Sequence, residues 1–178
     1  MKLRSISIAF IAMILSCSSV ANDNIDVYKK EIETVIETFR LAIINKDRET
    51  FKSLFYSESI PWIAVFSDEM INAKRKLKPD FPRSVNFGKY GAPVKMISEK
   101  DQQEEKIWNI KIESDGYLGS VHFNYSDHRN GIKKAFGTEA WDLIKGESGW
   151  KIVSVMYTVT EIPQVIDSAS LQVEQTEK

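Results

Sequence analysis

The sequence is poor in the residues that carry most thiol and transition-metal chemistry. It has one cysteine and two histidines in 178 residues, which excludes an internal disulfide and a zinc site built from four Cys and His ligands. The formal net charge is only −1, so the basic excess typical of nucleic-acid binding is missing. No cofactor or metal is expected. Fold stability must come from the burial of apolar side chains, which make up 43% of the chain.

The first residues have the pattern of a secretory signal peptide. Lys2 and Arg4 precede an apolar run over residues 6–15, which is too short to span a bilayer. A Ser-Val-Ala sequence ending at Ala21 then supplies the small residues that signal peptidase requires. We expect removal of residues 1–21, which leaves a periplasmic chain of 157 residues.

Cys17 offers an alternative interpretation, because a cysteine behind an apolar run can be a lipid-attachment site. Leu15 is bulky at a position where lipoprotein signals usually carry a small or β-branched residue, which favours ordinary cleavage. Cleavage after Ala21 would also remove the cysteine. A lipid anchor stays open as the second possibility.

Apolar periodicity and capping residues predict mainly helices in the first half of the mature chain. The predicted elements are a helix over 28–43, a short helix capped by Asp47, a strand over 60–66, and a helix capped by Ser67 that ends near Leu77. Three prolines and two glycines over residues 79–93 predict an irregular loop.

The second half alternates in the manner of β-strands. Strand-like runs cover residues 104–114, 117–127, 133–145 and 150–160. Asp115-Gly116 and Asn130-Gly131 are dipeptides typical of tight type I′ hairpins, and a Gly-Glu-Ser-Gly loop follows at 146–149. We therefore predict an antiparallel four-strand meander in one α+β domain over residues 22–160, followed by a polar tail over 161–178.

These turns fix a register if the strands are regular, and the register assigns the side chains to two faces. The face expected under the helices holds Trp108, Ile110, Ile112, Val121, Phe123, Tyr125, Phe136, Val153, Val155, Tyr157 and Val159, with Thr138 and Asp142 as polar exceptions. The opposite face would expose an apolar patch of Trp141, Leu143, Ile152 and Met156. Such a patch indicates a partner surface, so we predict a homodimer through the sheet backs.

Three segments and the order of the elements resemble a known superfamily. The segments are Asp-Arg-Glu-Thr-Phe-Lys-Ser-Leu-Phe at 47–55, Gly-Thr-Glu-Ala-Trp-Asp-Leu-Ile-Lys at 137–145 and Gly-Trp-Lys-Ile-Val at 149–153. Over residues 26–160 the chain resembles the nuclear transport factor 2-like superfamily, which includes ketosteroid isomerases, polyketide cyclases and scytalone dehydratase. The resemblance implies a cone-shaped, curved antiparallel sheet wrapped around a long N-terminal helix, an internal pocket, and dimerisation through sheet backs.

The resemblance does not extend to the catalytic groups of ketosteroid isomerases. Their tyrosine position falls at Phe39, their base position at Ile63 (or Trp62 with a slip of one), and their donor-acid position at Ala140. Isomerase chemistry by that mechanism is therefore not expected.

The pocket-side polar and aromatic residues define the candidate site. Predicted ligand contacts are Tyr125, Tyr157, Thr138, Asp142, Phe123 and Trp62. The first hypothesis is a non-catalytic, exported protein that binds a small, largely apolar molecule. A second is a hydrolase, dehydratase or cyclase that uses Asp142 with Tyr125 or Tyr157. The pattern favours the plainer interpretation of Asp142, a rim carboxylate bonded to a loop amide or a lysine. A third is a dimeric interaction module whose pocket is filled by side chains.

Overall fold

The computed structural model describes residues 17–91 and 93–163, with side chains from Ile25 onward. Two parts of the predicted organisation lie outside the described residues. They are residues 1–16 of the predicted signal peptide and residues 164–178 of the predicted tail. The helix that begins at Cys17 crosses the expected cleavage point at Ala21. The predicted domain boundaries therefore stay predictions.

Three helices form where the apolar periodicity predicted them. They are α1 (Cys17–Ile44), α2 (Arg48–Ser53) and α3 (Asp68–Leu77). Both predicted caps are confirmed: Asp47 accepts a hydrogen bond from the Thr50 amide at 3.0 Å, and Ser67 accepts one from the Met70 amide at 3.3 Å. No described helix combines the length and the apolar character needed to cross a membrane.

Six strands form one curved, unclosed sheet in the order β2-β1-β6-β5-β4-β3. They are β1 (Trp62–Phe66), β2 (Ser84–Asn86), β3 (Gln103–Ser114), β4 (Leu118–Arg129), β5 (Ile132–Gly146) and β6 (Gly149–Glu161). The four-strand meander is confirmed, and the fold is α+β as predicted. Two details differ: β1 pairs with β6 in parallel, and β2 lies in the segment predicted to be an irregular loop. Short 3₁₀ turns occupy Phe87–Tyr90 and Pro93–Met96.

The Asn130-Gly131 turn is tight as predicted, but the register changes beyond it. Asn130 and Gly131 have φ angles of 52° and 77°, which a type I′ turn requires. A β-bulge then adds Lys134 to β5, so Tyr125 pairs with Gly137 rather than with the predicted Phe136. Because side chains alternate along a strand, this one-residue shift reverses the two faces of β5.

Two further bulges correct the predicted faces. Between β5 and β6, the register shifts after the Leu143–Ile152 pair, so that Trp141 faces Val155. Between β3 and β4, the turn is longer than predicted and Asn109 adopts a positive φ of 55° at an irregularity. As a result, Trp108 and Ile110 were wrongly assigned to the inner face. Their exposed fractions are 42% and 44%.

The helix α1 packs on the concave face of the sheet, and the predicted dimer patch lies largely beneath it. Trp141 is 1% exposed, with its ring 4.8 Å from that of Phe39, and Leu143 and Ile152 are buried in the same core. Only Met156 of the predicted patch lies on the outer face. The proposed sheet-back surface is therefore wrong in three of its four residues, and the homodimer stays a prediction without that surface.

Candidate ligand-binding cavity

A cavity of about 1140 Å³ lies between the helices and the end of the sheet where β3 and β5 begin and β4 and β6 end. Aromatic side chains from five elements form much of its wall. They are Phe39 from α1, Phe51 from α2, Trp62 from β1, Tyr125 from β4 and Tyr157 from β6. The volume lies slightly above the range of roughly 300–1,000 Å³ that is typical of small-molecule sites. The third hypothesis required a pocket filled by side chains, and this volume contradicts it.

Three of the residues predicted to contact a ligand line the cavity. Tyr125 and Tyr157 meet edge to face, with ring centroids 6.1 Å apart, and Trp62 lies on the neighbouring strand. Phe123 also faces inward, but it is fully buried against Trp141 and does not reach the cavity wall. Ligand contact by these residues stays a prediction.

The other two predicted contacts, Thr138 and Asp142, lie on the outer face. The Thr138 hydroxyl is 3.1 Å from the Thr158 hydroxyl, and an Asp142 carboxylate oxygen accepts a hydrogen bond from Ser154 at 2.7 Å. The Lys134 bulge turns both residues away from the cavity. The hypothesis of an enzyme that uses Asp142 with a pocket tyrosine is therefore wrong.

The cavity contains three carboxyl groups that the sequence analysis did not assign to it. Glu105, Asp127 and Glu139 line the wall from β3, β4 and β5. Glu105 lies directly across from Asp127, and Glu139 lies across from Tyr157. Glu139 is 4% exposed and accepts a hydrogen bond from the Trp141 indole at 2.6 Å. One Glu105 oxygen is inaccessible to solvent and has no hydrogen-bond partner among the described residues.

Burial shifts the protonation of these acids. It raises the pKa of Glu139 to about 7, although the Trp141 N–H opposes the rise. Burial also raises the pKa of Glu105 well above its usual range, and repulsion from Glu139 and Asp127 adds to the effect. Burial raises the pKa of Asp127 despite the nearby Arg129. At neutral pH the cavity therefore holds carboxyl groups that can donate or accept a proton.

The tyrosine hydroxyls stay protonated in this environment. Burial raises the pKa of both Tyr125 and Tyr157, and the neighbouring Glu139 raises each further. Tyr125 donates its proton to the Thr158 carbonyl at 2.9 Å. The Trp62 N–H lies close enough to the Tyr157 hydroxyl to oppose that rise, but the two groups do not meet hydrogen-bond geometry.

Two basic residues of the cavity wall pair with acids other than Glu105 and Glu139. Lys74 pairs with Glu161 at 3.4 Å, and Arg129 lies 3.9 Å from Asp127. The ion pairs of the described residues leave Glu105 and Glu139 without a basic partner. Among the described residues, no group of three His, Cys, Asp or Glu is arranged to hold a metal ion.

The pattern of β5 contained information that would have placed Glu139 inside. One set of alternate residues contains Trp141 and Leu143, whereas the other contains Thr138 and Asp142. The more apolar set belongs in the core, and Glu139 belongs to that set. The prediction assumed a regular register and did not follow this polarity, because no residue in β5 indicates the bulge.

Comparison with known proteins identifies the architecture. No family model matches the chain, and no curated protein matches it. One similar solved structure is a protein of Novosphingobium aromaticivorans that is described as nuclear transport factor 2-like with a cystatin-like fold. It superimposes with a TM-score of 0.58 at 12% identity, and the match covers 90% of this chain and 98% of that one. The chain has the nuclear transport factor 2-like fold.

Other solved structures with this fold carry provisional enzyme names. A Streptomyces avermitilis protein, provisionally called a dehydratase of the nuclear transport factor 2-like family, gives a TM-score of 0.51 at 12% identity over 78% of this chain and 99% of that one. A second Novosphingobium aromaticivorans protein, provisionally called an aromatic ring hydroxylase, gives 0.51 at 10% identity over 77% and 94%. At these identities the likeness establishes the fold alone.

Proposed function

We propose that this protein is exported and that it binds a small molecule with a largely apolar body in the cavity. The observation that carries the proposal is the cavity of about 1140 Å³, whose wall contains aromatic side chains from five helices and strands. An apolar ligand that buries about 200 Å² of its surface there would gain about 5 kcal/mol from the hydrophobic effect. The Tyr157 hydroxyl and the Trp62 indole offer polar contacts that would orient it.

Two variants on α3 test whether the cavity is the binding site. Both residues are exposed, but Ala73 lines the cavity and its neighbour Asn72 does not. Ala73→Trp places a large ring at the cavity, and Asn72→Trp adds the same ring outside it. With 1-naphthalenemethanol as a neutral probe, we expect calorimetry to detect binding to the wild type and to Asn72→Trp, and much weaker binding to Ala73→Trp. Equal binding by all three proteins, or by none, would refute the proposal.

Native mass spectrometry of protein purified from the periplasm tests export and ligand binding together. We expect a chain that begins at Asn22, with additional mass from a retained small molecule. Intact Met1 in the cytoplasmic fraction would contradict export. A chain that begins at lipidated Cys17 would instead support the lipid-anchor alternative.

A second candidate function is acid–base catalysis on the bound molecule. It is favoured by Glu139, whose pKa of about 7 suits proton transfer at neutral pH and whose neighbour across the strand is Tyr157. The test is conversion of the molecule identified by native mass spectrometry. Under this candidate, the wild type would convert it and Glu139→Gln would still bind it without turnover. Equal turnover by both proteins, or by neither, would exclude this role for Glu139.

A further inference from the structure

The two glutamates of the cavity, buried Glu139 and half-buried Glu105, have no counter-charge. Glu105 on β3 and Glu139 on β5 line the same cavity from either side of β4, close enough for Glu139 to raise the pKa of Glu105. No ion pair of the described residues reaches either of them. Burying a carboxylate without a partner is costly, so each group favours a proton or a cation from outside the protein. An inaccessible Glu105 oxygen lacks any hydrogen-bond partner in the described part of the chain, which leaves an open acceptor at this place.

A second, independent observation also indicates a ligand. Trp62 is 5% exposed and lines the same cavity, yet its indole N–H has no hydrogen-bond partner among the described residues. Buried indole N–H groups are normally satisfied, so an unpaired one in the cavity wall indicates that a bound molecule completes this site. The rings of Trp62, Tyr125 and Tyr157 line the same cavity, and the faces of such rings attract cations.

We propose that the ligand is an organic amine: an apolar body that carries a protonated nitrogen, with the ammonium group placed between Glu105 and Glu139. This inference rests on the proposed ligand-binding function and adds the charge of the ligand to it. The ammonium group donates to the two carboxylates, while the apolar body lies against the aromatic wall. Charge-assisted hydrogen bonds of this kind are stronger than neutral ones.

The surrounding charges are compatible with a cation at this position. The other titratable groups around the cavity lie on five elements. They are Tyr125, Asp127, His128 and Arg129 on β4, Lys134 on β5, Tyr157 and Glu161 on β6, Glu69 and Lys74 on α3, and Lys95 in the second 3₁₀ turn. The two tyrosines are neutral, and Arg129 lies beside Asp127. The rim lysine Lys74 pairs with Glu161. Once the two glutamates have lost their protons, a bound amine therefore meets negative potential there.

Amine binding must be coupled to proton release. Glu105 and Glu139 both have a raised pKa, so each carries a proton at low pH and must lose it to pair with an ammonium group. The affinity for an amine should therefore increase as the pH rises from about 5 to about 8, whereas a neutral molecule of the same shape should show little change.

A set of three probes with one ring system tests the inference. The probes are 1-naphthylmethylamine, 1-naphthalenemethanol and 1-naphthoic acid, and binding is measured by calorimetry at about pH 5 and about pH 8. At the higher pH we expect the amine to bind about tenfold or more tightly than the alcohol, and the acid to bind most weakly. The preference should shrink to within about threefold at the lower pH.

Glutamine variants connect the preference to the two glutamates. Glu105→Gln and Glu139→Gln should each remove most of the preference for the amine while the alcohol still binds. Glu104→Gln is the matched control, because Glu104 is on the same strand but does not line the cavity, and it should behave as the wild type does. Folding of each variant is checked by its urea transition.

The outcomes separate this inference from the function on which it rests. If the alcohol or the acid binds as tightly as the amine, or if both glutamine variants keep the preference, the inference is wrong and the proposed function stands. If none of the three probes binds the wild type, the proposed function fails, and the inference fails with it.

Discussion

The buried glutamate of β5 predicts an unusual dependence of stability on pH. Glu139 is 4% exposed, and its pKa rises from about 4.5 in the unfolded chain to about 7 in the fold. Below pH 4, Glu139 is largely protonated in both the folded and the unfolded chain, so it does not lower the free energy of unfolding there. As the pH rises, the unfolded chain ionises first, and the folded state loses relative stability until the folded pKa is passed. The full penalty of about 3 kcal/mol is present at pH 8.

Glu139→Gln removes this penalty while its amide oxygen can still accept the Trp141 hydrogen bond. Urea unfolding of both proteins from pH 4 to pH 8 measures the effect. We expect the stability difference to shift by about 3 kcal/mol in favour of the variant, or about 1–3 M in the urea midpoint. Glu147→Gln, in the exposed β5–β6 turn, is the control and should show no such trend. A pH-independent difference for Glu139→Gln would refute a raised pKa and would weaken the argument that its carboxyl group is buried without a partner.

Two pairs of substitutions test the corrected sheet. Trp141→Ala should cost about 3–5 kcal/mol of unfolding free energy in urea titrations, because the ring fills the core. Met156→Ala on the outer face should cost less than about 1 kcal/mol. Similar costs for the two variants would contradict the face assignment. Gly137→Ala should cost about 3 kcal/mol of stability, because a Cβ there would overlap the Thr158 carbonyl oxygen of the adjacent strand. A Cβ at Gly131 would meet open space, so Gly131→Ala should cost only about 1 kcal/mol for its positive φ. Equal midpoints of the two variants in thermal unfolding would contradict this packing.

Local chemistry made the elements of this fold predictable. Asp47 and Ser67 cap helices through side-chain hydrogen bonds that involve only residues three positions away. Asn130 and Gly131 tolerate positive φ, so their turn forms as expected. Each of these features depends on a few consecutive residues, and such features can be derived without knowledge of the remaining chain.

The faces of the strands depended on information that no short segment contains. The Lys134 bulge shifts the register between β4 and β5, although Lys134 itself has no property that requires a bulge. The same holds for the shift between Leu143 and Asp142. A register derived by counting from a turn carries every missed bulge forward, so the error grows with distance from the turn.

When the polarity of a strand face disagrees with a register counted from a turn, the polarity is the better guide. In this protein, following the polarity changes the inferred chemistry. A sheet back exposing Trp141 and Leu143 needed a partner protein to explain it, whereas an inward Trp141 needs nothing further. The same reversal takes Asp142 to solvent and brings Glu139 into the cavity. Burial of an acid on an otherwise apolar face is costly for the fold, and a purely apolar ligand would leave that cost uncompensated. A cationic ligand compensates it, which is why the corrected register favours an amine over the neutral molecule that the sequence alone suggested.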